Sequence, residues 1–368
     1  MKLITTILLC LFLSSCAGQT PATESAWNYD SLQITREQAE LIHRHTENFP
    51  NDTQLSMAII ENGEVSFVGV QRGPDGLTLV DNHQGIFEIG SISKVFTATL
   101  LANLELEGQL KRTDPIQQHL DFELHDGKGI SLLNLANHTA GLPRLPSNLN
   151  LFTTDPNNPY KQYSDQDLKV YLTERIEPMR EAGTHYEYSN LGAGTLGFLL
   201  TQITQSTYEE LLQEKICAKY RMANSTTKRE RVQDRVVSGL NASGKPTSNW
   251  DFQVLVGAGG ILSSTKDLAK FALAQFSEEH ADLALTQTPT FTVNDDLKIG
   301  LGWHLLKSES GQELLWHNGG TGGYTSSMVL DTAHKNGVII LSNVSAFNQA
   351  MGNIDKLSMG LIETLGRK

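Results

Sequence analysis

Residues 87–105 read FEIGSISKVFTATLLANLE. Gly90 and Ser91 precede an apolar run, and Lys94 stands three positions after Ser91 at its head. Residues three apart on a helix share a face, so this spacing sets the Lys94 amine beside the Ser91 hydroxyl. An amine partly withdrawn from water loses some of its preference for charge and can accept or relay a proton. A hydroxyl at a helix N-terminus also meets the positive end of the helix dipole, which favours a developing alkoxide. The residues therefore suit an activated serine nucleophile. They also fit an N-capping serine followed by a surface lysine.

The same S-x-x-K spacing recurs at Ser225 with Lys228 and at Ser263 with Lys266. The first lies in the polar stretch NSTTKRER. The second lies in LSSTKDLAKF, where Ser263 or Ser264 reads as a helix cap. Only the Ser91 copy has a glycine before it and a long apolar helix after it.

Outward from that motif, strand signals come first. QLSMAIIENGEVSFVGV holds two β-rich runs around Asn62-Gly63, a hairpin signal, and TREQAELIHRHTENF before it reads as a capped helix. From about residue 109 to 254 the pattern is helical and loop-rich. LLNLANHTAGLP reads as a helix stopped by Gly141 and Pro143. After Lys298 strands return, with Asn336-Gly337 as another hairpin turn, and a last helix covers NQAMGNIDKLSMGLIETL. The expected fold is α/β (α+β): one mostly antiparallel sheet from residues 50–108 and 255–368, flanked by helices, with a mainly helical insertion between. A cleft should lie at their junction.

A chain of 368 residues with 39% hydrophobic and 19% charged residues has material for a large globular unit. Its net charge of −12 and lack of a basic stripe argue against nucleic-acid partners. No CxxC or HExxH spacing occurs, so no metal site is expected. The opening MKLITTILLCLFLSSCAGQT has a basic start, a short apolar run and small residues, the pattern of an export signal over residues 1–15. LSSC resembles a bacterial lipobox, which makes Cys16 the lipid-modified first residue. A polar tether over 16–33 and a folded unit over 34–368 would follow. That implies an exported lipoprotein held on a membrane and facing the periplasm or the cell exterior. With Cys10 and Cys16 so assigned, Cys217 has no disulfide partner.

FEIGSISK resembles the active-site signature of the class C β-lactamase family, which also contains D-alanyl-D-alanine peptidases, aminopeptidases and esterases. The resemblance implies a β-lactamase/transpeptidase-like fold and a serine hydrolase that works through an acyl-enzyme without a cofactor. It implies Ser91 as nucleophile with Lys94 as its activator. HYEYSNLGAGTLG carries the chain's one Y-x-N. In the family this tyrosine, here Tyr188, takes the serine proton beside a cationic lysine, and the asparagine, Asn190, orients the substrate amide. A buried tyrosine and a helix-capping asparagine fit the same letters. The family's third motif, K-T-G, is absent. Lys335-Asn336-Gly337 reads as a turn, whereas WHNGGTGGY offers His317, Asn318 and Gly319 in the H-x-G form. H-x-G also occurs at His83 and His125, but only His317 follows a strand and precedes a glycine-rich turn. Gly320 then supplies the second oxyanion amide beside the backbone N–H of Ser91. LANHTAGLP and GAGGILSSTKDLAKF extend the resemblance over roughly residues 50–345. His138, in the first of these blocks, reads as structural.

The implied substrates are β-lactams or related amides and esters, including peptidoglycan-derived D-alanyl peptides. A non-catalytic cell-wall binder on the same fold would not need all three motifs. A histidine at position 317 in place of lysine leads to one further expectation. Its charge, and with it selection of anionic substrates, should fade as pH rises past its pKa.

Overall fold

The computed structural model describes residues 29, 31–149, 154–308 and 311–366. The expected signal segment and Cys16 lie outside these residues, as does most of the tether. The first helix, α1 (Arg36–Thr46), opens on Thr35, whose hydroxyl accepts from Gln38 N while the Gln38 side chain accepts from Thr35 N. Strands β1 (Gln54–Glu61), β2 (Glu64–Gly73) and β3 (Gly76–Leu79) follow. Asn62 and Gly63 join the first two with φ of 53° and 84°. A two-residue hairpin that follows the strand twist needs positive φ at both positions. A short strand β4 (Phe87–Glu88) then passes through one 3-10 turn, Gly90–Ile92, into α2 (Ser93–Leu106).

The middle of the chain forms α3 (Leu132–Ala136), α4 (Asp165–Glu174), α5 (Asn190–Thr204) and α6 (Tyr208–Leu211), which runs on into a π-helical turn, Leu212–Cys217. Strand β5 (Leu262–Ser263) pairs with β4, and α7 (Thr265–Gln275) and α8 (Ala281–Gln287) follow. The return strands are β6 (Phe291–Thr292), β7 (Leu297–Ile299), β8 (His304–Lys307), β9 (Glu313–Gly320), β10 (Thr325–Asp331) and β11 (Asn336–Ser342). A final helix, α9 (Asn353–Glu363), closes the fold.

The main sheet runs β3-β2-β1-β11-β10-β9-β8-β7-β6. Its neighbours are antiparallel, and β1 pairs with β11, so the early and late strand groups form one sheet. One face is covered by α1 and α9 around Ile42, Ile340 and Leu357. The other is covered by α2, α7 and the helical part, around Phe96, Leu100, Phe271 and Leu341. Helix α2 is buried from Ser93 to Leu104, which marks it as central rather than amphipathic. Each large aliphatic or aromatic side chain buried there contributes roughly 1.5–3 kcal/mol relative to exposure. Those residues make a rigid seat for Ser91 and Lys94.

Two local expectations are corrected. Helix α3 ends at Ala136, well before Gly141 and Pro143. There the Asn137 side chain accepts from Thr139 N and Oγ1, and His138 turns to φ 60°, so side-chain bonding ends the helix early. Asn336-Gly337 is not a turn but the start of β11, in register with Asp331 and Leu330. The reversal comes just before it, with Lys335 at φ 54°. Gly337 lies between Leu330 and Ile60, where an added Cβ would meet Leu330 Cδ2 at 2.8 Å.

Candidate active site

Ser91 sits on the 3-10 turn between β4 and α2, and Lys94 lies one turn further on. Lys94 is 2% exposed. Its Nζ lies 2.9 Å from Ser91 Oγ and donates to the Ala258 carbonyl at 2.7 Å. Among the described residues no carboxylate is bonded to it. Burial holds its pKa well below the usual lysine value, and the Arg144 charge lowers it further. Burial therefore disfavours the ammonium form and makes this amine easier to deprotonate than an exposed lysine.

The Tyr188 phenol lies near enough to Ser91 to feel its hydroxyl. It is placed by the start of α5, where the Ser189 hydroxyl accepts from Gly192 N at 2.8 Å and donates to the Pro143 carbonyl at 2.7 Å. That double bond ties the Y-x-N segment to the loop after α3. His138 lies against the Tyr188 ring at 4.5 Å between centroids, and its Nδ1 accepts from Ser189 N at 3.2 Å. Burial raises the Tyr188 pKa strongly, while the Ser91 hydroxyl and Arg144 oppose the rise. Burial thus favours the neutral phenol of Tyr188 and disfavours the ammonium form of Lys94. The sequence expectation of a phenolate base next to a lysine cation is the reverse of what burial favours. Asn190 donates from Nδ2 to the Tyr160 hydroxyl at 3.3 Å, and its buried Oδ1 has no partner.

The third side of the site is the end of β9, which packs against the Ser91 turn. Gly90 has φ 51°, and a Cβ there would come 2.5 Å from Gly320 N. A Cβ on Gly319 would strike the Ile89 carbonyl and come 2.8 Å from Ser91 N. Only glycines permit this approach, which brings the backbone nitrogens of Ser91 and Gly320 to one spot. Two such amides converging beside a nucleophile are what an oxyanion hole requires. Ser91, Lys94, Tyr188, Asn190, Gly319 and Gly320 therefore meet in one place, from three separate parts of the chain.

A family model described as Beta-lactamase matches residues 53–357. The chain belongs to the beta-lactamase family. It is 30% identical over 261 residues to a beta-lactamase of Pseudomonas fluorescens, covering 68% of this chain and 69% of that one. It is 21% identical over 391 residues to the D-alanyl-D-alanine-carboxypeptidase/endopeptidase AmpH of Escherichia coli (strain K12), covering 100% and 97%. Among solved structures it resembles a class C beta-lactamase with a TM-score of 0.74 at 21% identity, over 90% of this chain and 96% of that one. It resembles the D-alanine carboxypeptidase AmpC from Burkholderia cenocepacia with a TM-score of 0.75 at 20% identity, over 92% and 100%. Members of the beta-lactamase family are serine hydrolases, and this chain has their mainly antiparallel sheet flanked by helices.

In this beta-lactamase-family cleft, of about 690 Å³, the walls include Ser91, Tyr188, Asn190, Asn318, Gly319 and Gly320. His317 is not among them. Along β9 the exposure alternates, so Trp316, Asn318 and Gly320 reach towards the cleft and His317 points inward. His317 is 1% exposed, and its Nδ1 donates to the Asn318 carbonyl at 2.6 Å. Burial holds its pKa well below the usual histidine value, with His304 and Lys94 adding to the effect. The expected contact between a His317 charge and a substrate carboxylate is therefore corrected: the ring is neutral and lies behind the wall. The preference for anionic over neutral acyl donors should be flat between about pH 6 and 8 as far as His317 is concerned. His317→Lys should lower the melting temperature, since an unpaired buried charge costs on the order of 3–5 kcal/mol, and should leave that preference unraised. Thermal denaturation with paired kcat/KM measurements checks both. A stable variant with a raised anionic preference would restore His317 to substrate selection.

The two other S-x-x-K serines are bonded to each other. Ser225 Oγ lies 2.8 Å from Ser263 Oγ and donates to Asp267 Oδ2 at 3.1 Å, while Ser264 caps α7. Neither lines the cleft. Sequence reasoning passed over Arg144, Tyr160, Trp250, His304 and Phe347, all on the cleft walls. They come from loops and a short strand, with no spacing to mark them. Asn318 is held by Asp355, its Nδ2 donating to Oδ2 at 2.7 Å.

Glu88, three residues before the nucleophile, is buried and accepts from Asn249 Nδ2 at 2.7 Å and Trp250 N at 2.8 Å. It anchors the segment that carries Trp250 into the cleft. Burial raises its pKa from 4.5 to about 7. Between those values the unfolded chain has released this proton and the folded chain still holds it. Stability from Glu88 thus falls as pH rises through that window and levels off above it. Denaturant titrations at pH 5 and 8 should show this loss, at most roughly 3 kcal/mol, and Glu88→Gln should remove it. An identical pH difference in the variant would mean that Glu88 titrates as an ordinary carboxyl.

Proposed function

We propose that the protein hydrolyses the amide or ester bond of a small acyl donor through a covalent acyl-enzyme on Ser91, with β-lactams as the leading donors. The observation that carries this reading is the 2.9 Å approach of the buried Lys94 amine to Ser91 Oγ. Lys94 takes the hydroxyl proton as Oγ attacks the carbonyl carbon. The Ser91 and Gly320 amides hold the oxyanion, and the Asn190 side chain orients the donor's amide. The Tyr188 phenol gives its proton to the leaving nitrogen or oxygen and regains one from the Lys94 ammonium. Water then attacks the ester carbonyl; the restored Lys94–Tyr188 pair takes its proton and returns it to Ser91 Oγ as the C–Oγ bond breaks and the acid leaves. Nothing in this sequence of steps needs a cofactor.

A second reading, a D-alanyl-D-alanine peptidase or an esterase on the same residues, is favoured by one feature. The third motif has no cation, because His317 is neutral and turned inward. The relative named as a carboxypeptidase/endopeptidase supports it as well. Parallel rates on nitrocefin, a short-chain nitrophenyl ester and a D-Ala-D-Ala peptide decide between the two. A nitrocefin kcat/KM above the others carries the first reading, and turnover of peptide or ester alone carries the second.

We also propose export and lipid attachment at Cys16, on the LSSC pattern. The N-terminal mass of membrane-extracted protein tests it. A mature chain beginning anywhere but a lipid-bearing Cys16 removes the anchor.

A further inference from the structure

The loop after α3 brings one charge into the cleft. Arg144, in GLPRLP, is exposed, and its carbonyl accepts from Asn190 N at 3.0 Å and Leu191 N at 3.1 Å. Those bonds root it on the first turn of α5, next to the Y-x-N segment. Its guanidinium carbon lies 5.1 Å from the centre of the Tyr188 ring, and Lys94 Nζ lies 4.8 Å from the same centre. Arg144 therefore stands beside the reacting residues rather than at a distant rim.

Arg144 is the one Arg, Lys, Asp or Glu among the described residues that line the cleft. Burial lowers the pKa of His304, the one histidine among the described wall residues, to about 4, so it is neutral at neutral pH. No described carboxylate pairs with the guanidinium. That is unusual company for a cation in a chain with 41 Asp and Glu against 29 Lys and Arg. An unpaired guanidinium presents a planar fork of donors matched to a carboxylate. A cleft with one uncompensated positive charge, in a molecule of net charge −12, is a local trap for an anion.

We propose that Arg144 is the specificity-determining cation of this site and that it holds a carboxylate of the acyl donor. This rests on the acyl-transfer reading above and adds to it the part of the substrate that selects. It assigns to a loop arginine the charge that the inward-turned His317 does not supply.

The test separates binding from chemistry. In full-length Ser91→Ala protein, which cannot be acylated, dissociation constants for N-phenylacetyl-D-alanine and its carboxamide are compared by ligand-observed NMR. These probes differ only in the carboxylate. The expected preference for the carboxylate is about tenfold, weakening with salt. Adding Arg144→Gln should abolish the preference, and Arg144→Lys should keep part of it. A preference untouched by Arg144→Gln, or absent from the parent, overturns the proposal. So does an equal loss for both ligands, which would mean that Arg144 acts only through Tyr188. Because no acylation is involved, a failure of the Ser91 mechanism leaves this result standing, and the reverse also holds.

Discussion

Ser91→Ala is expected to lower kcat/KM for the best acyl donor by at least ~10⁴-fold while leaving the fold intact. The hydroxyl is half-buried on a turn whose backbone is fixed by Gly90 and by β9, and removing one oxygen creates almost no cavity there. Thermal stability should change little, since what is lost is one hydrogen bond to the Lys94 amine and the interaction with the Tyr188 phenol. Residual activity should match what the two amides and the cleft contribute without a nucleophile. Turnover within tenfold of the parent would mean that another group attacks. Ser225 and Ser263 are poor candidates, because they are buried and bonded to each other outside the cleft.

Lys94→Met should cost nearly as much, and more than Tyr188→Phe. Methionine keeps the length and apolar stem of the side chain and removes the amine, so α2 should remain packed. If Lys94 is the base, its loss should slow acylation by ~10³-fold or more. Tyr188→Phe should slow it by ~10²–10⁴-fold for poor leaving groups and less for a nitrophenolate, which needs no proton. Single-turnover acylation rates with both classes of leaving group give the comparison. The opposite order, with Tyr188→Phe more damaging than Lys94→Met even for a nitrophenyl ester, would return the base role to the tyrosine. Activity should also persist below the ordinary lysine pKa, because burial lowers the pKa of the Lys94 amine.

Much of this site is legible in the sequence, for physical reasons that differ by residue. Ser91 and Lys94 are legible because a small residue, a hydroxyl and an amine at helical spacing precede a helix that is apolar all round. Such a helix can only be central, and whatever heads it is held still. The Asn62-Gly63 hairpin is legible because positive φ at both turn positions strongly favours those residues. Asn336-Gly337 shows the limit of that rule. The same dipeptide lies in a strand, since the reversal falls on Lys335 just before it and Gly337 is needed for close packing. His317 was legible as a position and not as an orientation. The period-two alternation of a strand could have separated them: once Asn318 and Gly320 are assigned to the cleft, His317 faces the other way. The direction of proton flow was hidden for another reason. It depends on how completely Lys94 and Tyr188 are enclosed, and enclosure is assembled from α5, the loop after α3 and the Ala258 turn. Arg144 was hidden most fully. It is an exposed loop residue in a stretch with no periodicity, and its meaning comes from the charges that the rest of the cleft lacks.

The central claim is that Ser91 becomes covalently acylated and that Lys94 makes it reactive. Mass spectrometry of the intact protein and its peptides, after brief exposure to a penicillin and separately to a fluorophosphonate, tests it most directly. The account predicts one adduct of the added reagent mass on the peptide containing Ser91, formed slowly in Lys94→Met and not at all in Ser91→Ala. An adduct that persists in Ser91→Ala, or that maps to Ser225 or Ser263, would contradict it.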